Sequence, residues 1–502
     1  TVALAAALAS DAGAAEAKNV IIFISDGGGF NAYWSASYYQ HGRLGGQPYD
    51  SEAWLKYASL TASLNTMKKG ASEDDDEPSY DPSKAWSMEG VYAMALAGGA
   101  SFKGYADLKS SPTDSAASGT AMAMGAKAYN GAVNYVPDYS QRIRAARGRT
   151  ISELAKTKGK ATGVVTSVYL SDATPSTFGG AHSSGRGSRR DIANQMFNSG
   201  TLDLIMGGGH PEYDRNGTPV EPTKESDYDM VGGSFTWNML TTGRHSQGWK
   251  LVQSKPEFEA LMSGPTPARV LGIPRVYQTL QQQRQTRDWD RDGRVDDADT
   301  RAAPVFGDPF IATVPTLATM TRGALNVLGK NPKGFYVMIE GGAVDWAGHA
   351  NQPARIIEEM IEFNAAVEAA QDWVNRNSSW DETLIIITSD HETGLLLGLN
   401  SDRMVFDPVI NRGAGRMPGM YFNSGGHSNL LVPIMARGPG AELFDKHVKG
   451  HDPVHGRYVD NTSIFEVMKA AMGASTSSGY DGNYGGSYAP GGELLYDSQP
   501  GG

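Results

Sequence analysis

Carboxylates and imidazoles recur in this chain at spacings that suit cations. Asp345 and His349 stand four residues apart in Glu340-Gly341-Gly342-Ala343-Val344-Asp345-Trp346-Ala347-Gly348-His349, so one helical turn presents both on a single face. Asp390-His391 follows an apolar run, and so does Asp26 in Ser25-Asp26-Gly27-Gly28-Gly29. Hard oxygens mixed with imidazoles suit zinc, and acids beyond the needs of one tetrahedral site point to several ions. Ser115 offers a nucleophile within Thr113-Asp114-Ser115-Ala116-Ala117-Ser118-Gly119-Thr120-Ala121-Met122, a run of small residues able to open a closely packed helix. A hydroxyl at a helix start faces backbone N–H groups and the positive end of the dipole, where a phosphate or oxyanion is stabilised. The run is not a G-x-S-x-G elbow, and no acyl-transfer triad is needed to explain the histidines.

A second, oxygen-rich motif occupies 288–299. Asp288, Asp290, Asp292, Asp296 and Asp299 take loop positions 1, 3, 5, 9 and 12, Arg294 stands at 7, and Gly293 at 6 allows a sharp turn. This spacing suits calcium. Asp at position 12 departs from the helix–loop–helix sensors and resembles extracellular calcium loops. An ion there would fasten its segment structurally.

Such groups need a frame. Five short runs, Val20 to Ile24, Gly163 to Val168, Phe335 to Ile339, Leu384 to Thr388 and Leu431 to Ala436, are continuously apolar, as strands covered on both faces are. Pro353 to Arg376 places Ile356, Met360, Phe363, Val367, Ala370 and Val374 at alternating spacings of 4 and 3, an amphipathic helix. The alternation predicts an α/β fold with a doubly wound, mostly parallel central sheet flanked by helices, whose ligands sit at the carboxyl ends of the strands. One domain is expected over 18–474, with an inserted subdomain at about 211–309. An acidic, Pro-containing stretch at 72–84 reads as a solvated loop, and the Gly/Ser/Tyr-rich 475–502 as a tail.

Composition narrows the chemistry. Among 502 residues there is no Cys, which excludes disulfides, thiol nucleophiles and cysteine-based metal sites. The net charge of −11 is a poor match for nucleic acid or anionic lipid. Residues 1–17 are Ala-rich and end in Ala15-Glu16-Ala17, as the tail of a secretory signal does, and no other apolar run approaches the ~18 residues of a membrane span. A periplasmic or secreted protein is expected.

These residues together resemble the bacterial alkaline phosphatases. The resemblance rests on ISDGGG around Asp26, Thr113 to Ala117, Asp172-Ala173-Thr174-Pro175, Asp203 to Gly209, Glu340 to His349, Asp390-His391 and Gly426-His427-Ser428, in family order over roughly 19–210 and 310–470. It implies hydrolysis of small phosphate monoesters through a phosphoserine at Ser115. It implies two zinc ions, one held by Asp345, His349 and His427 and one by Asp26, Asp390 and His391. A magnesium ion would take Asp26, Thr174 and Glu340. The phosphate-binding arginine is expected four residues after His182, at Arg186, with Arg189 and Arg190 as alternatives. Trp346 beside the zinc-ligand Asp345, paired with Asp172, is a mixed combination for the family and bears on the third-site metal. Members commonly form homodimers. The same superfamily also holds phosphodiesterases and nucleotide pyrophosphatases, but those usually carry Thr as nucleophile and lack the magnesium trio. A non-catalytic calcium- or phosphate-binding protein is the remaining alternative.

Overall fold

The computed structural model describes residues 16–64, 80–86, 105–138, 142–145 and 150–473. Residues 1–15, 72–79 and 475–502, which carry most of the expected leader, acidic loop and tail, lie outside the described residues.

The apolar runs form the heart of one eleven-stranded sheet. In chain order its strands are β1 (Asn19–Ser25), β2 (Leu55–Leu60), β3 (Ala161–Tyr169), β4 (Leu204–Gly208), β5 (Lys250–Val252), β6 (Val270–Gly272), β7 (Phe335–Gly341), β8 (Thr383–Thr388), β9 (Val432–Arg437), β10 (Val448–Asp452) and β11 (Gly456–Asp460). Across the sheet they lie β10-β11-β2-β9-β8-β1-β7-β3-β4-β6-β5. From β8 to β5 all neighbours are parallel. β9, by contrast, runs antiparallel to both β8 and β2. β5 and β6 come from within 211–309 and extend the main sheet beyond β4.

The continuous hydrophobicity of β1 has a direct cause. Val20, Ile22 and Ile24 enter one buried core, with residues of the helices α2 (Ser115–Met124) and α8 (Thr462–Ala471). Ile21 and Phe23 point to the opposite core, shared with α1 (Phe30–His41), α5 (Leu317–Leu328) and the long α7 (Pro353–Asn377). Alternate side chains of a strand face opposite sides, so a strand covered twice must be apolar at every position.

Parallel register brings the functional strand ends level. Ile24 is opposite Thr388 on one side and Glu340 on the other, and Glu340 is opposite Thr166. Short helices then leave this edge: α3 (Ala173–Phe178) after β3, and α6 (Ala343–His349) after β7. Close packing here depends on small residues. A Cβ on Gly119 of α2 would lie 2.5 Å from Thr177 Oγ1 of α3. Gly27 has φ +73°, and its Cβ would lie 2.6 Å from Asp345 Cα.

A buried ionic network fastens 284–308 to the start of α7. Arg284 Nη2 lies 2.7 Å from Glu358 Oε2, Arg355 Nη1 lies 3.1 Å from the same oxygen, and Arg355 Nη2 lies 2.8 Å from Asp308 Oδ2. The four side chains are nearly inaccessible to water, so removing Glu358 would strand two guanidinium groups in the interior. Glu358→Ala is expected to lower unfolding free energy by about 3–5 kcal/mol in chemical denaturation; a change below about 1 kcal/mol would show that the network contributes little.

Candidate active site

The strand ends and helix starts deliver the predicted groups to one place. Asp26 follows β1, Glu340 belongs to the end of β7, Asp390 and His391 follow β8, and Asp172 caps α3. His427 arrives on a two-residue strand, His427–Ser428, which pairs antiparallel with Glu392–Thr393. Ser115 is the first residue of α2, and Asp114 caps that helix by accepting from Ala117 N at 2.9 Å.

Three groupings result. In the first, His349 Nε2 and His427 Nε2 each lie 3.4 Å from Asp345 Oδ1 and 3.1 Å from one another. Each ring has its Nδ1 2.7 Å from a backbone carbonyl, that of Gly425 or Thr113. An Nδ1–H held by a carbonyl leaves Nε2 with its lone pair, so the two rings present electron pairs toward a common point, as metal ligands do. In the second, His391 Nε2 lies 3.2 Å from Asp390 Oδ2 and 3.6 Å from Asp26 Oδ1. In the third, Thr174 Oγ1 lies 3.4 Å from Asp26 Oδ2, with Glu340 buried alongside. Asp26 therefore joins the second and third.

The oxygens themselves test whether cations fit. Asp26 Oδ1, Asp390 Oδ2 and both carboxylate oxygens of Glu340 are buried and accept no hydrogen bond. Buried carboxylates without donors are costly unless a cation meets them. Ligand atoms of Asp26, Asp390 and His391 lie within 4.8 Å of one another, as do those of Asp345, His391 and His427.

Without cations, these groups resist one another's charge. Burial pushes the Glu340 carboxyl up to about 8, with the charges of Asp172 and Asp390 adding to the shift. Burial and Asp345 push Asp390 up to about 6. Asp26 is raised by burial and by Asp390, Asp345 and Glu340. Burial also opposes the charge on Asp345, but the hydrogen bond from His427 and the nearby imidazoles outweigh it and hold this carboxyl well below the usual range. For His427, burial disfavours the proton, yet Asp345 outweighs it and lifts the ring to about 8. His391 is held neutral by burial and by the charge of His427.

Ser115 Oγ sits 3.2 Å from His391 Nε2 and 3.5 Å from Arg186 Nη1. Arg186 is clamped by Asp114 Oδ2 at 3.1 Å and Asp172 Oδ1 at 3.2 Å. Burial works against its charge, but Asp172 and Asp114 outweigh it and raise the guanidinium further. The alternatives are engaged elsewhere: Arg189 stacks 5.0 Å from the Tyr169 ring centre, and Arg190 pairs with Asp229 at 2.6 Å. Trp346 meets Tyr169 edge to face at 5.5 Å.

In the 288–299 loop, ligand atoms of Asp288, Asp290 and Asp299 gather within 4.8 Å. All five acids also accept from loop backbone N–H groups: Asp288 Oδ2 from Gly293 at 3.1 Å, Asp290 Oδ1 from Asp292 at 3.1 Å, Asp292 Oδ1 from Arg294 at 2.8 Å, Asp296 Oδ1 from Ala298 at 2.7 Å and Asp299 Oδ2 from Asp296 at 2.9 Å. Gly293 has φ +88°.

Two participants were not singled out from the sequence. Asp114 holds both the nucleophile's helix and Arg186, and its place just before an apolar helical run is an N-cap signature. Thr393 donates to Asp345 Oδ1 at 2.5 Å. It stands two residues after His391, a spacing that puts both on one side of an extended segment.

A model of the alkaline phosphatase family matches residues 95–421. The alkaline phosphatase of Escherichia coli (strain K12) is 28% identical over 394 residues, covering 72% of this chain and 74% of that protein. Alkaline phosphatase 3 of Bacillus subtilis (strain 168) is 29% identical over 301 residues, covering 57% of this chain and 51% of that protein. Among solved structures, a cold-active alkaline phosphatase from the psychrophile Shewanella sp. superposes with a TM-score of 0.58 at 22% identity, over 90% of this chain and 99% of that one. The alkaline phosphatase of the Antarctic bacterium TAB5 gives 0.53 at 23% identity, over 92% and 99%.

The raised acids set a pH dependence for the metal-free protein. An acid kept neutral by burial favours the folded state while protonated, and that stability is lost as pH climbs from the unfolded value through the folded one. This applies to Asp390 through about 6, Glu392 through about 7, and Glu340 and Glu359 through about 8. His427, raised to about 8, loses its contribution over the same range, while the lowered His391 and, away from the site, His210, His245, His447 and His455 act oppositely, each only below the unfolded histidine value. Chelator-treated protein is therefore expected to melt at a lower temperature near pH 8 than near pH 5.5 by circular dichroism. An equal or higher melting temperature at the higher pH would contradict these shifts.

Proposed function

The chain belongs to the alkaline phosphatase family, and from that premise we propose that it hydrolyses phosphate monoesters with Ser115 as nucleophile, releasing inorganic phosphate and an alcohol. The observation that carries this reading is the convergence of buried carboxylate oxygens that accept no hydrogen bond, two facing imidazoles and Arg186 on a serine at a helix start.

As a family member it is a metal-dependent hydrolase. On our reading Asp345, His349 and His427 hold one zinc ion, Asp26, Asp390 and His391 a second, and Asp26, Thr174 and Glu340 a magnesium ion. When bound, these ions supply Lewis acidity, making hydroxyl and water better nucleophiles and offsetting charge on the leaving oxygen. The chain's own groups do the rest. The guanidinium of Arg186, pre-aimed by Asp114 and Asp172, offers a planar pair of donors to two phosphate oxygens. The dipole of α2 favours negative charge at Ser115. A bond from Ser115 Oγ to phosphorus forms as the ester P–O bond breaks, and the alcohol leaves with a proton. Water then cleaves the phosphoserine, restoring the serine hydroxyl and freeing phosphate.

The Ala-rich start of the chain supports export to the periplasm or medium, and family habit supports a homodimer. No helix among the described residues is long and apolar enough to cross a membrane. We read the 288–299 loop as a structural calcium site centred on Asp288, Asp290 and Asp299.

Incubation with labelled phosphate at mildly acid pH is expected to mark the wild-type chain covalently and leave Ser115→Ala unmarked, with turnover of p-nitrophenyl phosphate falling at least about 1000-fold. Labelling of the variant would refute the serine's role, and a larger kcat/KM for bis(p-nitrophenyl) phosphate would refute the monoester reading. For the loop, Asp288→Ala with Asp290→Ala is expected to abolish the rise in melting temperature on adding calcium; an undiminished rise would place the ion elsewhere.

A further inference from the structure

A cavity of about 1080 Å³ opens beside the nucleophile and continues well past it. Its walls include Asp172, Arg186, Asp345 and His349 of the site, together with residues 282–286, 295–298 and 300–301. A phosphoryl group on Ser115 fills only a small part of such a volume, which leaves room for the alcohol that carries it. The lining of that space is mostly polar and, besides Arg284, includes three arginines, Arg189, Arg215 and Arg301.

Their surroundings set them apart from the other buried or clustered arginines. Arg186 and Arg284 are neutralised at 3.1 and 2.7 Å by Asp114 and Glu358. No carboxylate among the described residues pairs with Arg189, Arg215 or Arg301. Arg189 donates from Nη2 to Tyr169 Oη at 3.1 Å and lies over that ring, but its Nε–H is buried without an acceptor. Asp296 and Asp297 share the wall, Asp296 accepting from Ala298 N as the cap of α4 (Asp297–Ala302), and neither forms an ion pair with the three arginines.

We propose that this arginine-lined extension is a leaving-group subsite for a second phosphate, so that the chain prefers bisphosphorylated substrates over esters with one phosphate. The proposal rests on the monoesterase reading above. One phosphate reacts at Ser115; the other, carried on the alcohol, is held by guanidinium donors, which bind phosphate oxygens in pairs. Gln283 on the same wall is suited to the hydroxyl groups of a sugar backbone. Arg215 and Arg301 stand exposed at the lip, where attraction to a dianion is screened by salt, so the preference should weaken as ionic strength rises.

The test compares fructose 1,6-bisphosphate with fructose 1-phosphate on the metal-loaded enzyme, with p-nitrophenyl phosphate as reference. The wild-type ratio of kcat/KM values is expected to favour the bisphosphate by about tenfold at low salt, and Arg215→Ala with Arg301→Ala to bring it within about twofold of one. A conservative Arg215→Lys with Arg301→Lys pair should retain part of the ratio and keep its salt dependence. A wild-type ratio near one, or a ratio unchanged in the alanine variant, would overturn the subsite. Failure of the wild-type enzyme to hydrolyse p-nitrophenyl phosphate would overturn the phosphatase reading itself, and the subsite with it.

Discussion

Mutual repulsion among buried acids is the constraint around which this molecule is arranged. Asp26, Glu340 and Asp390 occupy neighbouring strand ends in an environment that disfavours charge, and their unpaired oxygens face inward. Such a cluster cannot be relieved by moving apart, because the parallel register of β8, β1 and β7 fixes the spacing of the residues that follow. Protons relieve it in the absence of metal, and cations do so otherwise. The chain has no cysteine to offer, so all the cation-binding capacity rests on oxygen and imidazole.

The rest of the architecture keeps that cluster in place. Each core helix packs on one face of the sheet, so the central strands are held from both sides and their ends cannot shift independently. Behind the nucleophile a chain of polar contacts reinforces this: Lys127 Nζ donates to Asn461 Oδ1 at 2.6 Å, Asn461 Nδ2 to Ser118 Oγ at 3.0 Å, and Ser118 Oγ to the Asp390 carbonyl at 2.6 Å. The helix bearing Ser115 and the strand end bearing Asp390 are thus joined through groups that never meet substrate.

The fold's centre was legible because double burial leaves a mark: β1, β7 and β8 are apolar through their middle positions, and β3, though it carries Thr162, Thr166 and Ser167, keeps Val164, Val165 and Val168. The outer strands carry no such mark. β10 and β11 alternate between exposed and covered residues, and β5 and β6 are three residues each, too short for periodicity to register. Antiparallel β9 shows why burial does not report direction, since its run Leu431 to Ala436 looks like its parallel neighbours. At the site, the motif-borne residues Asp345, His349, Asp390 and His391 could be read from spacing, and Ser115 from its small-residue context. Thr393 and the pairing of residues 392–393 with 427–428 could not, because they depend on a contact between segments more than thirty residues apart. The 288–299 loop illustrates the limit in another way: spacing marked five acids alike, and all five accept from loop amides, whereas only Asp288, Asp290 and Asp299 bring ligand atoms together.

Asp114 divides its two oxygens between tasks. Oδ1 accepts from Ala117 N and Gly131 N, and Oδ2 accepts from Arg186 Nη1. The helix start that bears the nucleophile and the guanidinium that meets phosphate therefore share one carboxylate, with Asp172 a second partner of Arg186 alone. Energetically, substitutions at Ser115's helix start and at Arg186 are not separable perturbations, because either one alters the carboxylate that orients the other. The leaving-group side of the cavity, with walls from 282–286, 295–298 and 300–301, has no bond to this carboxylate, so substitutions there leave the coupling of helix start and guanidinium untouched.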